Sequence, residues 1–140
     1  MSAPRSVTHA GTTENLPRFL SFIDAVCAEI DADPALSYAL RLAVEEVCIN
    51  LIEYGYRGRA PGPIEVIAQD HDDRVTLQIR DRSPPFDPTF APAPDLTSDA
   101  EHRMPGGLGW YLVKRMFDEV GYVADTPEGN VLTVVKRKSK

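Results

Sequence analysis

Apolar residues at Leu16, Phe19, Leu20, Ile23, Cys27 and Ile30 recur at the three-and-four spacing that turns one helical face into a core. Ahead of them, Ser6-Val7-Thr8-His9-Ala10 reads as a short edge strand after a loose start over residues 1–5, and Thr12-Thr13 is a pair suited to cap the helix. Asp31-Ala32-Asp33-Pro34 breaks the periodicity and opens a second helix, with Asp33 as cap and Pro34 at the first position, where a missing N–H removes no bond. Its buried stripe is Leu36, Leu40, Ala43, Val44, Val47, Leu51 and Tyr54. Glycines and prolines between Gly55 and Pro63 end the helical pattern, and strict alternation replaces it. Ile64–Ala68 and Val75–Ile79 then flank Asp70-His71-Asp72-Asp73 as two strands of a hairpin.

From Pro84 to Pro105 the chain holds six of its 12 prolines and no sustained periodicity. A loop of that length inside a compact domain is a lid, a binding segment or a disordered connection. Gly106-Gly107-Leu108-Gly109 closes it, and Trp110, Leu112, Val113, Met116 and Phe117 mark a third helix to about Val120. Two last strands, Tyr122–Thr126 and Val131–Lys136, are joined by Pro127-Glu128-Gly129-Asn130. The order predicts an antiparallel-rich sheet covered on one face by helices.

Composition narrows the reading. The 140 residues suit one domain over 1–140, and 43% hydrophobic with 26% charged residues describes a globular chain. Fifteen basic against 21 acidic residues give a net charge of −6, without the basic stripe that grips a phosphate backbone, so no direct nucleic-acid contact is expected. No apolar run approaches the ~20 residues that span a bilayer, and no basic-then-apolar leader opens the chain; the expectation is a cytoplasmic protein with no membrane contact. Cys27 and Cys48 stand in no zinc or redox spacing and read as small core thiols. The acidic turn at 70–73 can be drawn as a metal site, but turns collect aspartate because its side chain bonds nearby backbone.

Three segments carry candidate chemistry. On the second helix Glu46 and Asn50 lie one turn apart on one flank, Glu53 continues the row, and Arg41 and Glu45 point nearer to solvent. Asn50 lies close to the buried stripe, so it is either satisfied by neighbouring backbone or a ligand; Glu46 is either a surface carboxylate or a functional one. Alternation puts Asp81 on the same face as Val75, Leu77 and Ile79, where the carboxylate must escape at the strand end or meet a donor. The Gly106–Gly109 run precedes a helix whose free N–H groups favour anions, and is otherwise a flexible helix entry; it is neither a Walker motif nor a dinucleotide fingerprint.

The order and spacing of these segments resemble the ATP-binding fold shared by histidine kinases, type II topoisomerases, Hsp90 and MutL, and most closely the small anti-sigma-factor serine kinases that regulate bacterial stress and sporulation programmes. Leu42–Tyr56 is similar to that family's asparagine box, Asp81-Arg82-Ser83-Pro84-Pro85-Phe86-Asp87-Pro88 to its first glycine box, and Gly106–Val113 to its second, followed by Gly129-Asn130-Val131-Leu132-Thr133. The likeness covers about residues 14–138. It implies an α+β two-layer sandwich, an antiparallel-rich mixed sheet with about three helices on one face.

By the same resemblance, Asn50 coordinates Mg²⁺ on the ATP phosphates, Asp81 accepts the adenine amino group, and the backbone of Gly106, Gly107, Leu108 and Gly109 binds phosphate. Thr133 helps to bind adenine, Phe86 belongs to the nucleotide-binding set, and residues 88–105 form the lid, with Arg103 a charge partner of the phosphates. Glu46 is the general base. The implied function is an ATP-dependent serine/threonine protein kinase and anti-sigma factor in transcription regulation. It phosphorylates a STAS-type antagonist, sequesters a sigma factor or similar regulator, and forms a homodimer. The alternative is a non-catalytic, ATP-gated protein-binding module. A histidine kinase fits less well, because His9, His71 and His102 sit in strand-end, turn and loop segments with no preceding helical hairpin. One departure stands out: the family usually has glycine where this chain has Ser83 and Pro85, although proline before Phe86 is a familiar variant among the small regulators. A serine there restricts the backbone and adds a side chain near the adenine site, so a reduced ATP affinity is expected.

Overall fold

The computed structural model describes residues 2–85 and 107–138. Strand β1 (Arg5–Ala10) leads to a short 3₁₀ turn (Thr13–Asn15), then helices α1 (Leu16–Glu29) and α2 (Pro34–Asn50). A π-helical turn (Leu51–Gly55) follows, then β2 (Pro63–Asp70), β3 (Arg74–Asp81), α3 (Gly107–Met116), β4 (Glu119–Thr126) and β5 (Gly129–Arg137). The five strands form one sheet in the order β1-β2-β3-β5-β4, and all four pairings are antiparallel, so the mixed sheet implied by resemblance is wholly antiparallel among the described residues. The α+β layering itself is as the sequence led one to expect.

Alternation decides which face is covered. Ile64, Val66 and Ala68 of β2, Val75, Leu77 and Ile79 of β3, and Leu132 and Val134 of β5 are buried in one cluster. Phe19 and Ile23 of α1, Leu40, Val44 and Cys48 of α2, and Trp110 and Val113 of α3 complete it. Phe19 is fully buried with its ring edge-on to His9 of β1 at 5.4 Å between centroids, and truncating a side chain so enclosed costs about 3–5 kcal/mol. Cys27 and Cys48 are free and buried, and burial pushes the Cys48 thiol up to about 12, so it stays protonated and inert.

Several boundaries differ from the sequence reading, each for a local reason. The strand starts at Arg5, inside the stretch expected to be loose, where the Arg5 guanidinium pairs with Glu29 of α1. Neither Thr12 nor Thr13 caps α1; Asn15 stands at its N-cap position without a side-chain cap bond and donates its amide to the Ala10 carbonyl at 2.9 Å. Asp33 does cap α2, accepting the Leu36 N–H at 2.8 Å. The α-helical pattern expected to reach about Tyr54 stops at Asn50, and the wider turn begins there. The third helix starts at Gly107, within the glycine run, and ends at Met116 rather than near Val120. Val120 instead pairs with Val134, because β-branched residues opposite β5 are better placed in a ladder than in a last helical turn. The acidic turn behaves as a turn: Asp70 accepts the Asp72 N–H at 3.0 Å, and Asp72 takes a positive φ of 73°.

Candidate functional site

Where α2 passes into the π-helical turn, it faces the end of β3 and Tyr122 of β4 across a cavity of about 250 Å³. Asn50, Tyr54, Arg59, Asp81, Ser83 and Tyr122 are among its lining residues. A narrower apolar extension runs inward past Val47, Ile79 and Leu132, again bordered by Asn50 and Asp81. A helix-borne amide and a strand-end carboxylate, thirty-one positions apart in sequence, therefore line one hollow. Switches from regular to π-helical winding recur at functional sites, since they re-aim the side chains at the junction.

Asp81 does not escape at the strand end. Its Oδ1 accepts three hydrogen bonds: from the Ser83 hydroxyl at 2.5 Å, the Ser83 N–H at 2.9 Å and the Asn130 amide at 3.1 Å. The Asn130 amide also donates to the Ser83 carbonyl at 2.8 Å, and Asp81, Ser83 and Asn130 are each at most 6% exposed. Oδ2 accepts no hydrogen bond from the described residues. Between Asp81 and Ser83, the Arg82 N–H is held by the Tyr56 hydroxyl at 2.8 Å, which itself donates to the Pro63 carbonyl at 2.7 Å. Burial raises the Tyr56 phenol above its ordinary value, so it remains a donor. Gly129 makes the Asn130 contact available: its φ is +92°, and a Cβ there would overlap the Asp81 carbonyl oxygen.

Asn50 is treated differently. Its Oδ1 is buried and has no hydrogen-bond partner among the described residues, a state that costs about 1–3 kcal/mol for a neutral acceptor. A buried oxygen without a donor fits the ligand set of a hard cation such as Mg²⁺, which takes oxygens. Glu46, one turn earlier, packs against the start of α3 so closely that a Cβ on Gly109 would fall onto its carboxyl group. Burial, with a smaller contribution from Glu45, raises the Glu46 carboxyl above the usual glutamate range.

The sequence-stated set is thus partly assembled. Asn50 and Asp81 share the cavity, Glu46 meets Gly109, and Gly107 and Leu108 lie in the first turn of α3. Phe86, Arg103, Gly106 and the lid over 88–105 lie outside the described residues. Thr133 lies on β5 opposite Gln78, on the sheet face away from the helices, and the Gln78 amide donates to its hydroxyl at 3.3 Å. Asn130 takes the place beside the carboxylate instead, directly across the ladder from Asp81. The signal was present in the pattern, because Asn130 shares parity with buried Leu132 and Val134, and Thr133 does not. A second hollow of about 160 Å³ opens among Thr8, Glu65, Arg80, Arg82 and Glu128, but Arg80 is already paired with Glu128 at 3.0 Å and Glu65 at 3.5 Å.

The family model of the histidine kinase-like ATPase domain matches residues 10–136. The chain belongs to that family. Among curated relatives it is similar to a serine-protein kinase RsbW of Bacillus cereus, 26% identical over 102 residues that cover 69% of this chain and 61% of that protein. It is also similar to a serine-protein kinase RsbW of Listeria monocytogenes, 28% identical over 67% of this chain and 62% of that one. The chain therefore spans about three-fifths of the length of these relatives. A crystal structure of the RsbU and RsbW domains of a Mycobacterium tuberculosis protein superposes with a TM-score of 0.67 at 20% identity, covering 99% of this chain and 33% of that one, which shows the shared fold. Membership in a histidine kinase-like ATPase family implies ATP use, and the cavity between Asn50 and Asp81 is the described hollow with matching chemistry. No helix among the described residues is long and apolar enough to cross a membrane.

Proposed function

We propose that the protein is an ATP-dependent serine/threonine protein kinase and anti-sigma regulatory factor, acting in the cytoplasm as a homodimer. Its substrate is a STAS-type antagonist, and it sequesters a sigma factor or similar regulator until that antagonist engages it. The observation that carries the reading is the meeting of an unpartnered buried amide oxygen, Asn50 Oδ1, with a buried and oriented carboxylate, Asp81, on one cavity. The similarity to RsbW serine-protein kinases supports the reaction class.

Asp81 receives the 6-amino group of adenine on the oxygen that its own neighbours leave open. Asn50 would hold Mg²⁺ through Oδ1, and the metal would supply positive charge to offset that of the ATP phosphates. The phosphates would lie toward the first turn of α3, where helix N–H groups favour an anion and Gly109 leaves room for the Glu46 carboxyl beside them. Glu46 borders that turn and takes the proton of the incoming seryl or threonyl hydroxyl. The oxygen–phosphorus bond to the acceptor forms, the bond from the γ-phosphorus to the bridging oxygen breaks, and ADP leaves. A raised Glu46 carboxyl suits this task, since a base works best when its affinity for protons lies nearer the working pH.

Incubation with Mg²⁺, labelled ATP and co-encoded STAS proteins is expected to label a serine or threonine of one of them. Failure with every such candidate refutes the kinase half and leaves the ATP-gated binding module. Glu46→Gln separates the two directly: a kinase loses transfer and keeps ATP binding, whereas a gated module loses neither binding nor partner exchange.

A further inference from the structure

The residue that departs from the family's glycine box has a built environment. Ser83 is 6% exposed, its hydroxyl and its N–H both bond Asp81 Oδ1, and its carbonyl accepts the Asn130 amide. On its other side stands Gly55, the last residue of the π-helical turn; a Cβ there would sit 3.0 Å from the Ser83 hydroxyl oxygen and 3.2 Å from its Cβ. Gly55 thus vacates the space that the serine fills. A glycine at 83 would keep the N–H bond and lose the shortest of the three contacts to the carboxylate.

We propose that Ser83 is a positioning residue for base recognition: with Asn130 it saturates one oxygen of Asp81 and fixes the carboxylate so that the other faces the cavity as a pure acceptor. The inference rests on the nucleotide reading above and deepens it. A fixed carboxylate oxygen with no proton to give accepts from the 6-amino group of adenine and repels the 6-oxo group of hypoxanthine or guanine. Removing the hydroxyl opens room beside Gly55 into which the carboxylate can turn, so the acceptor is no longer aimed. Serine at this position therefore strengthens adenine selection, the opposite of the loss of affinity that a departure from glycine suggests.

The test is a titration of ATP against inosine triphosphate, in Mg²⁺, for the native chain, Ser83→Gly and Ser83→Ala. The native chain is expected to prefer ATP. Both variants are expected to bind ATP roughly tenfold more weakly, the worth of one hydrogen bond to a charged acceptor, with inosine triphosphate almost unchanged, so the preference shrinks by the same factor. Gly55→Ala, which presses on the Ser83 hydroxyl, is expected to reduce the preference in the native chain and to change it little in Ser83→Gly. That non-additivity is a readout that loss of stability alone does not produce. A native preference for ATP that both Ser83 variants retain, or tighter ATP binding by Ser83→Gly, overturns the role of Ser83 and leaves the nucleotide reading standing. A native chain that binds both equally overturns adenine selection by Asp81, and one that binds neither overturns the nucleotide reading itself.

Discussion

Asp81 and Asn50 border the same cavity, yet the fold surrounds one with donors and leaves the other bare. Three hydrogen bonds converge on Asp81 Oδ1, supplied by Ser83 and Asn130 and braced by the Tyr56 hydroxyl on the Arg82 N–H. Asn50 Oδ1, equally cut off from water, has none among the described residues. On the proposed roles, a carboxylate that recognises a base gains from being held in one orientation before the base arrives, and its bonds come from Ser83, just past β3, and from Asn130 on β5. An amide oxygen that must enter a metal's ligand shell gains from having no competing donor, and the fold bears the cost of leaving it unsatisfied. Glu46 belongs with Asn50 in this respect, since its carboxyl is held at the start of α3 in surroundings that disfavour its charge. On these proposed roles, the group that recognises the base is completed by the protein, and the amide oxygen offered to the metal is left without a partner among the described residues.

The largest effect is expected at the reacting end. Glu46→Gln should lower phosphotransfer to the STAS acceptor by about 10²–10⁴-fold, the usual worth of a general base, with ATP affinity nearly unchanged in a binding titration. Next comes Asp81→Asn, which puts an amide where a pure acceptor stood; about 1.5–3 kcal/mol of ATP binding, the value of a hydrogen bond to a charged group, should be lost in the same titration. If Asp81→Asn bound ATP as the native chain does, the recognising half of the comparison would fail.

A pair of asparagines sharpens the contrast further, because one residue type should give opposite signs. Asn130→Ala removes a donor shared by Asp81 and the Ser83 carbonyl and should destabilise the fold by about 1–3 kcal/mol in urea unfolding. Asn50→Ala removes an oxygen that bonds nothing, so it should leave the unfolding midpoint unchanged or raise it, while abolishing the gain in ATP affinity that Mg²⁺ brings.

The smallest effects concern pH. A Glu46 carboxyl raised by burial is protonated over a window above the ordinary glutamate range, where it cannot accept a proton, so transfer should fall as pH drops through that window. Stability moves the other way. A folded-state value above the unfolded one stabilises the fold at pH below the unfolded value, and that contribution is lost as pH rises through the raised one. Above the window Glu46→Gln should therefore melt slightly higher than the native chain, and below it the two should coincide.

Periodicity carried most of the fold. The stripes on α1 and α2 and the alternation in β2 and β3 are long and consistent, and their buried residues form the core as read. What failed were places where tertiary contacts outweigh local preference. Val120 leaves the helical pattern for a ladder with Val134, and the glycine run joins α3 because Gly107 and Gly109 lie in its first turn. Within the site, Asn50 and Asp81 were legible because each is a polar residue interrupting an apolar row. Asn130 is harder to read, since the turn composition around Gly129 obscures its place at the start of β5. Ser83 was noticed only as a departure, because its partner hydroxyl bond and the space left by Gly55 exist only once β3 is folded against the π-helical turn.

The most direct test of the account is a fluorescent-ATP titration of the native chain and Asn50→Ala, each with and without Mg²⁺. The account expects the native chain to bind ATP, more tightly with the metal, and Asn50→Ala to bind with an affinity that Mg²⁺ does not alter. No binding by the native chain at millimolar nucleotide, or the same Mg²⁺ dependence in both proteins, would contradict it.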